Sequence, residues 1–528
     1  MAIEDIIWAK NRHMFGGIAP SNLSSIRAII SDVDDSVVFI NYQTTGKTVV
    51  NGQTLCTLEG LILIKNPNRY PLNEFDGEEV GRHVNPSYGQ FTDTIIPGQT
   101  MYYAAFPYSK QGVYNRSTKN RAVVNENAKK NYSYIFGYDM DLNEDVPSAR
   151  VSYITTDAID NTDYTPATLN SLNDWDIPAG TKFMPRPCML KYDGTVDYFL
   201  DPNDYSKKAD GTPSDITSSN YAGNAMMQWP KIYTKRWEKN GVYHFRCSDA
   251  KLDDDYECWC NYDSNGDEIE HFYTAIYRSS KWDYSGGVTR YKSMSGCNYS
   301  STVSGWSFST EKSVSRQDKG WDVERLVDHL LIQDLLVMIG RNTNTQTVFG
   351  VGRSTSPTES LKTGTANTKG LFYGKANNDS TVTSLKIFGM EDYWGDYGRR
   401  IDDLVNGMEG KLYAKIPTIA GDKSLSGFGD GYTLIGTLTG GLSGYISKMT
   451  THSWGRLPAE TKGSSTTYEA DNAYFKVDVG SCVPAVIGGG VGGGLSLDER
   501  GAFTCVFAVV NSASWLGSRL SCKPMASS

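Results

Sequence analysis

Charge is scarce in this 528-residue chain: only 21% of its residues are Asp, Glu, Lys or Arg. A disordered segment shows much charge and few aromatics, whereas here there are 33 Tyr, 18 Phe and 11 Trp. A basic excess is missing too. Lys and Arg number 51 against 60 Asp and Glu, a net charge of −9, so no nucleic-acid partner is expected. No apolar run approaches the roughly 18 residues of a membrane span, so no membrane insertion is expected. The beginning lacks a secretory pattern, because Glu4 and Asp5 precede Ile6, Ile7 and Trp8 where positive charge would stand. The expectation is a soluble product made in a cytoplasm.

Reactive chemistry is equally thin. The six His (His13, His83, His244, His271, His329, His452) fall in no catalytic spacing, and no G-x-S-x-G elbow stands between a strand and a helix. The nine Cys are irregularly spaced and odd in number, which reads as buried small hydrophobes rather than a disulfide framework. Cys258 and Cys260 form a C-x-C with only His271 near, short of a zinc set. Asp139, Asp141, Asn143 and Asp145 alternate like a calcium loop, but Glu144 and Arg150 occupy the positions that need Gly and Glu. A second oxygen-rich turn, Asp263, Asn265, Asp267 and Glu270, is also incomplete. The run Gly488–Gly494 contains G-x-G-x-x-G, yet Leu495–Gly501 reads as loop and Ala502–Val510 as strand, where a phosphate cradle requires a helix. Neither a metal, a cofactor nor a catalytic residue is expected, and the chain is not read as an enzyme.

What is present is β-chemistry: Tyr, Gly, Ser, Thr and Asn, with short strand signals between turns. Val37–Tyr42, Leu58–Ile64 and Met101–Phe106 predict strands of a β-sandwich over 18–124, after a segment 1–17 expected to serve attachment. The stretch "TDTIIPGQTMYYAAFPYS" (Thr92–Ser109) resembles a fibronectin type III-like module, a spacer. Polar 125–131 reads as a linker, and 132–315 as a β-rich intermediate region. Trp321, Leu326, Val327, Leu330, Leu331, Leu335, Met338 and Ile339 recur at helical spacing, with Gly340 as the closing cap glycine. Its acids and His329 are expected to face outward from a scaffold helix. The fold class is mainly β, with an α+β C-terminal part over 316–528.

Two C-terminal motifs suggest a relationship. One is Glu391-Asp392-Tyr393-Trp394-Gly395-Asp396-Tyr397, continuing through Arg400-Ile401-Asp402-Asp403 to Gly407. It resembles the W-G segment of C-type-lectin folds related to the formylglycine-generating enzyme. The other is Gly501-Ala502-Phe503 with Ala513-Ser514-Trp515-Leu516-Gly517-Ser518-Arg519-Leu520-Ser521-Cys522-Lys523-Pro524, which resembles the variable proteins of diversity-generating retroelements. Cys188–Thr212, Ala222–Met226 and Leu335–Gly352 resemble phage tail or receptor-binding proteins. Cys482, Cys505 and Cys522 do not match the paired cysteines of the enzyme relatives, so catalysis is not carried over.

The resemblance implies a C-type-lectin-like ligand-binding domain with a variable region at about 483–515. Trp394, Phe503, Trp515 and Arg519 would hold the scaffold. Period-2 alternation puts Phe503, Cys505 and Phe507 inward and Thr504, Val506 and Ala508 outward. The latter would join Ala485, Val486, Val491, Leu495, Ser496, Leu497, Asp498, Glu499 and Arg500 on an apolar recognition surface. The implied function is a phage virion adhesin, a tail-tip receptor-binding protein that recognises a bacterial surface receptor (protein or glycan), works beside other tail proteins and forms a homotrimer. The alternatives are a structural tail, baseplate or capsid-fibre component and, at lower weight, a glycan depolymerase. The variable-protein resemblance predicts adenine-rich codons over Ala485–Trp515 and a near-copy template beside a reverse-transcriptase gene. Sequencing the encoding locus checks this, and absence of both removes the diversification reading.

Overall fold

Alternation along Val37–Gln43 buries Val38, Ile40 and Tyr42 on one face. This strand lies between Ser25–Ile30 and Tyr88–Thr94, antiparallel to both. Facing it is a second antiparallel sheet built on Gln53–Asn66, which pairs with Lys47–Val50, Glu78–Val84 and Met101–Ser109, the last continuing to Arg121–Val124. Leu61, Leu63, Tyr103 and Val124 meet Val38, Ile40 and Phe91 in a single core, so the two sheets make a sandwich. The computed structural model describes residues 19–30, 36–44, 47–50, 53–124, 135–153, 165–172, 183–284, 287–298, 303, 305–353, 361–376, 379, 384–407, 411–437, 443–474, 482–488, 501–507 and 516–525.

The sandwich belongs to one compact unit, Met1–Ser133, and the rest of the chain, Tyr134–Ser528, forms another. Strands make up 46% of the structure, which makes the fold mainly β, with helices gathered between Phe308 and Phe349. Among the described residues, the second unit has three large sheets. A four-stranded sheet runs Val151–Tyr153, Ile135–Asp141, Val242–Ser248, Tyr233–Lys239. A seven-stranded sheet runs Asp204–Lys208, Val196–Asp201, Arg186–Lys191, Gly223–Pro230, His271–Ala275, Leu520–Cys522, Trp321–Val323. The third is centred on Gly398–Asn406, flanked by Lys411–Ala414 and Val483–Ile487.

The seven-stranded sheet crosses the boundary expected near 315. Leu520–Cys522 inserts between His271–Ala275 and Trp321–Val323, with Cys522 opposite both Tyr273 and Trp321. Residues 132–315 and 316–528 therefore share a sheet and a core rather than forming separate regions. Trp321, expected to open the helix, lies in a strand instead.

The helix itself spans Leu326–Gly340, and every residue in it is buried. Its apolar residues belong to one hydrophobic cluster with residues from all three sheets, among them Tyr138 and Phe245, Met227 and Phe272, and Ile401 and Ile487. A helix covered on all sides needs apolar residues all round, and eleven of its fifteen residues are apolar or Gly. The expectation that its polar residues face solvent is overturned. Asp328, His329, Gln333 and Asp334 are all buried, each with a partner. Gly340 is not the left-handed cap either; Arg341 takes that conformation (φ 46°). Gly340 is small for another reason, since a Cβ there would lie 2.9 Å from Val348 of the following helix, Thr345–Phe349.

Asp334 accepts from Arg236 Nε at 2.8 Å and from the hydroxyls of Tyr138 (2.6 Å) and Tyr243 (3.1 Å). Removing one partner of such a pair leaves a buried charge uncompensated. Asp334→Ala is expected to lower the unfolding free energy by about 3–5 kcal/mol. Tyr138→Phe, which removes one donor, is expected to cost about 1–2 kcal/mol. Urea titration measures both, and a loss for Asp334→Ala no larger than for Tyr138→Phe would contradict the place given to Asp334 as the shared acceptor of Arg236, Tyr138 and Tyr243.

Candidate functional site

The strand Gly398–Asn406 is buried along its whole length although it carries Arg399, Arg400, Asp402 and Asp403. Each charge has a counter-charge. Arg400 pairs with Glu311 at 2.5 Å, Arg399 lies 3.2 Å from Glu324, and Asp402 and Asp403 contact Lys312 (2.7 Å) and Arg325 (2.6 Å). Two further segments grip the start of this strand. Leu516–Ser518 runs parallel to Gly398–Arg400, and Val486–Ile487 lies antiparallel to Arg399–Arg400. The two C-terminal motifs therefore meet in space.

Arg519 strengthens the junction. Its guanidinium donates to the carbonyls of Ala275 (2.7 Å), Ile276 (2.9 Å) and Glu391. Burial, with Arg399 and Arg278 nearby, pulls its pKa down against Glu324. Those carbonyl acceptors are what keep an interior cation tolerable. Trp394 is fully buried and donates from Nε1 to the Gly350 carbonyl at 3.1 Å. Gly395 follows in the left-handed region (φ 90°), with its Cα against Gly352, where a Cβ would meet backbone at 2.8 Å.

The segment 489–500 has both of its flanks fixed to this scaffold. On one side, Gly488 has φ 76°, accepts from the Gly395 amide and donates to the Thr504 carbonyl. A side chain at Gly488 would lie 2.8 Å from the Tyr393 carbonyl. On the other side, Asp471 accepts from the Phe503 amide at 2.8 Å and from Gln346 at 3.1 Å. Gly501 passes so close to Asp471 that a Cβ would meet the carboxylate at 2.2 Å. The Ala502 carbonyl receives Gln333 from the central helix at 2.9 Å. The two flanks join through the pairs Ile487↔Cys505 and Val486↔Val506.

Burial divides the anticipated recognition residues. Ala485 and Val486 are buried, not surface-forming, because their strand lies inside a sheet covered on both faces. The uninterrupted apolar run Val-Pro-Ala-Val-Ile is the sign of this. Thr504 is also buried, correcting its outward assignment: the extended strand begins only at Cys505, so period-2 alternation does not reach it. Its hydroxyl accepts from the Gly501 amide at 2.8 Å. Val506 is half-buried, and Phe503, Cys505 and Phe507 are buried. Val491, Leu495, Ser496, Leu497, Asp498, Glu499, Arg500, Ala508 and Trp515 lie outside the described residues.

His329 is sealed beneath the site. Its Nδ1 is 2.9 Å from Tyr393 Oη and 3.2 Å from Arg399, and its Nε2 is 3.0 Å from Gln333. Burial and the Arg399 charge hold it well below the usual histidine range, so it is a neutral packing element. The oxygen-rich turns are committed locally: Asp139 takes His244 and Arg246 at 2.8 Å each, and Asp263 accepts the amides of Asn265 and Asp267. Cys258 and Cys260 fall in different hydrophobic clusters, and Cys260 Sγ faces the Val327 carbonyl at 3.3 Å. Glu257, Cys258 and Glu268 do lie close together, but the two carboxylates already accept from Tyr262, Tyr233 and Lys231. No helix among the described residues is long and apolar enough to cross a membrane. No family model, curated protein or solved structure matches the chain.

Burial pushes Asp471 up to about 7, with Glu469 adding to the rise and the Phe503 amide and Gln346 opposing it. A carboxyl raised above its unfolded value near 4 contributes stability that is fully present below about pH 4 and lost as pH rises through about 7. The wild-type chain is expected to be less stable at pH 8 than at pH 5, and Asp471→Asn to show a smaller difference. Thermal unfolding at the two pH values checks this; an unchanged difference would remove Asp471 from the linkage. Gly501→Ala is expected to cost about 1–3 kcal/mol through overpacking against that carboxylate.

Proposed function

We propose that the chain is a phage virion adhesin, a tail-tip protein that recognises a bacterial surface receptor. On this reading the N-terminal sandwich is a fibronectin III-like spacer and the C-terminal part a C-type-lectin-like domain. One observation carries the reading: the W-G motif and the C-terminal motif lock together around Arg399, Arg400 and Arg519, and the flanks of 489–500 are bonded to that locked core. A recognition segment needs ends whose positions do not depend on the residues between them. Substitutions at exposed positions then change stability by only about 0.5 kcal/mol or less.

The burial of Ala485, Val486 and Thr504 narrows the proposed surface to Val491, Leu495–Arg500, Val506 and Ala508. The receptor is a surface protein or glycan of the host cell. Several copies, as in a homotrimer, would add avidity without new contacts. The protein would be made in the host cytoplasm and carried on the virion tail.

The test is binding of the full-length protein to host cells, with 489–500 exchanged for a Gly/Ser segment of equal length. The expected outcome is loss of binding by about tenfold or more with thermal unfolding unchanged. Unaltered binding would place recognition elsewhere, and sugar release from host envelopes would favour a depolymerase.

A further inference from the structure

A cleft of about 840 Å³ opens in the second unit, between the segment around Arg316–Asp322 and the segment Lys415–Tyr432. Its size lies within the range of small-molecule sites. Among the described residues, no lining group comes from 482–507.

The floor is a closed ionic lattice. Asp402 takes Lys312 at 2.7 Å and Arg316 at 2.9 Å, Arg316 also holds Asp322 at 2.8 Å, and Arg325 holds Asp403 at 2.6 Å. On the wall, Asp318 is paired with Arg290 and Lys523 with Asp328. Among the described residues, two lining cations are left without a carboxylate. Lys319 is exposed and has no partner among the described residues. Lys415 places its ammonium on the Asp430 carbonyl at 3.1 Å, a neutral acceptor. Gly431, with φ 88°, leaves room beside it: a Cβ there would lie 3.3 Å from Lys415 Cε. Ile419 is 40% exposed and Phe428 half-buried, so the same cleft presents apolar surface.

These features select a ligand class. Carboxylates and cations side by side suit a polyol, whose hydroxyls donate to one and accept from the other. Ile419 and Phe428 suit the C–H face of a sugar ring. Two ammonium groups without a carboxylate suit a singly charged anionic group, while the remaining lining cations are already matched by Asp322, Asp328, Asp402 and Asp403 and offer little further attraction to a polyanion. The geometry points to a binding site for a carboxylate-bearing oligosaccharide, with Lys319 and Lys415 holding the carboxylate and the Ile419–Phe428 wall holding a ring face. This site stands independently of the adhesin reading.

The probes are tri-galacturonic acid and 3′-sialyllactose, each beside its carboxyl-reduced form, with inorganic tripolyphosphate as the polyanion; binding to the full-length protein is read by calorimetry. At least one acidic sugar is expected to bind about tenfold or more tighter than its reduced form. Lys319→Ala with Lys415→Ala is expected to erase that preference, and Lys415→Arg to keep it. Should the double variant unfold, Lys319→Glu alone, at an exposed position, is expected to weaken acidic-sugar binding by about threefold or more. Absence of binding by both acidic sugars overturns the proposal. So does equal binding of the reduced forms, tighter binding of tripolyphosphate, or indifference to the lysine variants. Acidic-sugar binding retained when 489–500 is exchanged supports the cleft, and its loss would move the site to that segment.

Discussion

A helix with no solvent-facing side organises the second unit, and the constraint it imposes is that each polar side chain on it must find a partner in a neighbouring layer. Asp334 is bonded to Tyr138, Arg236 and Tyr243 of the four-stranded sheet. Asp328 reaches Lys523 and Ser521 on the segment that completes the seven-stranded sheet. Gln333 and His329 reach Ala502, Tyr393 and Arg399 beside the third. An apolar helix could slide or rotate among greasy neighbours at modest cost. One that carries buried acids with specific partners has a fixed register, because any shift strands a charge in low dielectric. The apolar surface supplies the drive for burial, and the polar side chains decide orientation.

The C-terminal arrangement follows from that register. Leu520–Cys522 can occupy the middle of a sheet only once His271–Ala275 and Trp321–Val323 are in place on either side. Arg519 then points to carbonyls that belong to the 275–276 and 391 segments, and Leu516–Ser518 settles along Gly398–Arg400. Long-range pairings of this kind come late in folding, since distant segments must meet before any contact rewards them. The flanks of 489–500 inherit their positions from this assembly, with two glycines passing where no Cβ fits.

The proposed segment and the cleft make different use of the same strand, Gly398–Asn406. Its first residues, Arg399 and Arg400, pair with Ile487 and Val486 on the flank of the proposed recognition segment, and its middle residues, Asp402 and Asp403, close the cleft floor with Lys312, Arg316 and Arg325. On the proposed reading the residues of 489–500 would tolerate substitution, whereas the charges of the cleft are mutually committed. In the cleft nearly every carboxylate neutralises a neighbour, so change is confined to the two lysines outside the lattice.

Strand positions in the N-terminal sandwich are legible in the sequence because alternation in Val37–Gln43 and the turn chemistry around it depend on neighbours only a few residues away. The helix is legible as an element for the same reason, from the spacing of Leu326, Leu330 and Leu335. Its surroundings are not, since Asp334 and Asp328 look like solvent-facing charges until Arg236 and Lys523, 98 and 195 residues distant, are brought beside them. Thr504 escapes the alternation rule because that rule holds only where the backbone is extended, and the turn at 501–504 is made by Asp471, 32 residues from Phe503. Local periodicity alone dictates the β-rich character, the sandwich strands and the apolar helix. Which charges lie inside, that 132–315 and 316–528 share one core, and where the cleft opens are settled by tertiary packing. Each of those depends on pairing between groups far apart in the chain, which no local pattern records.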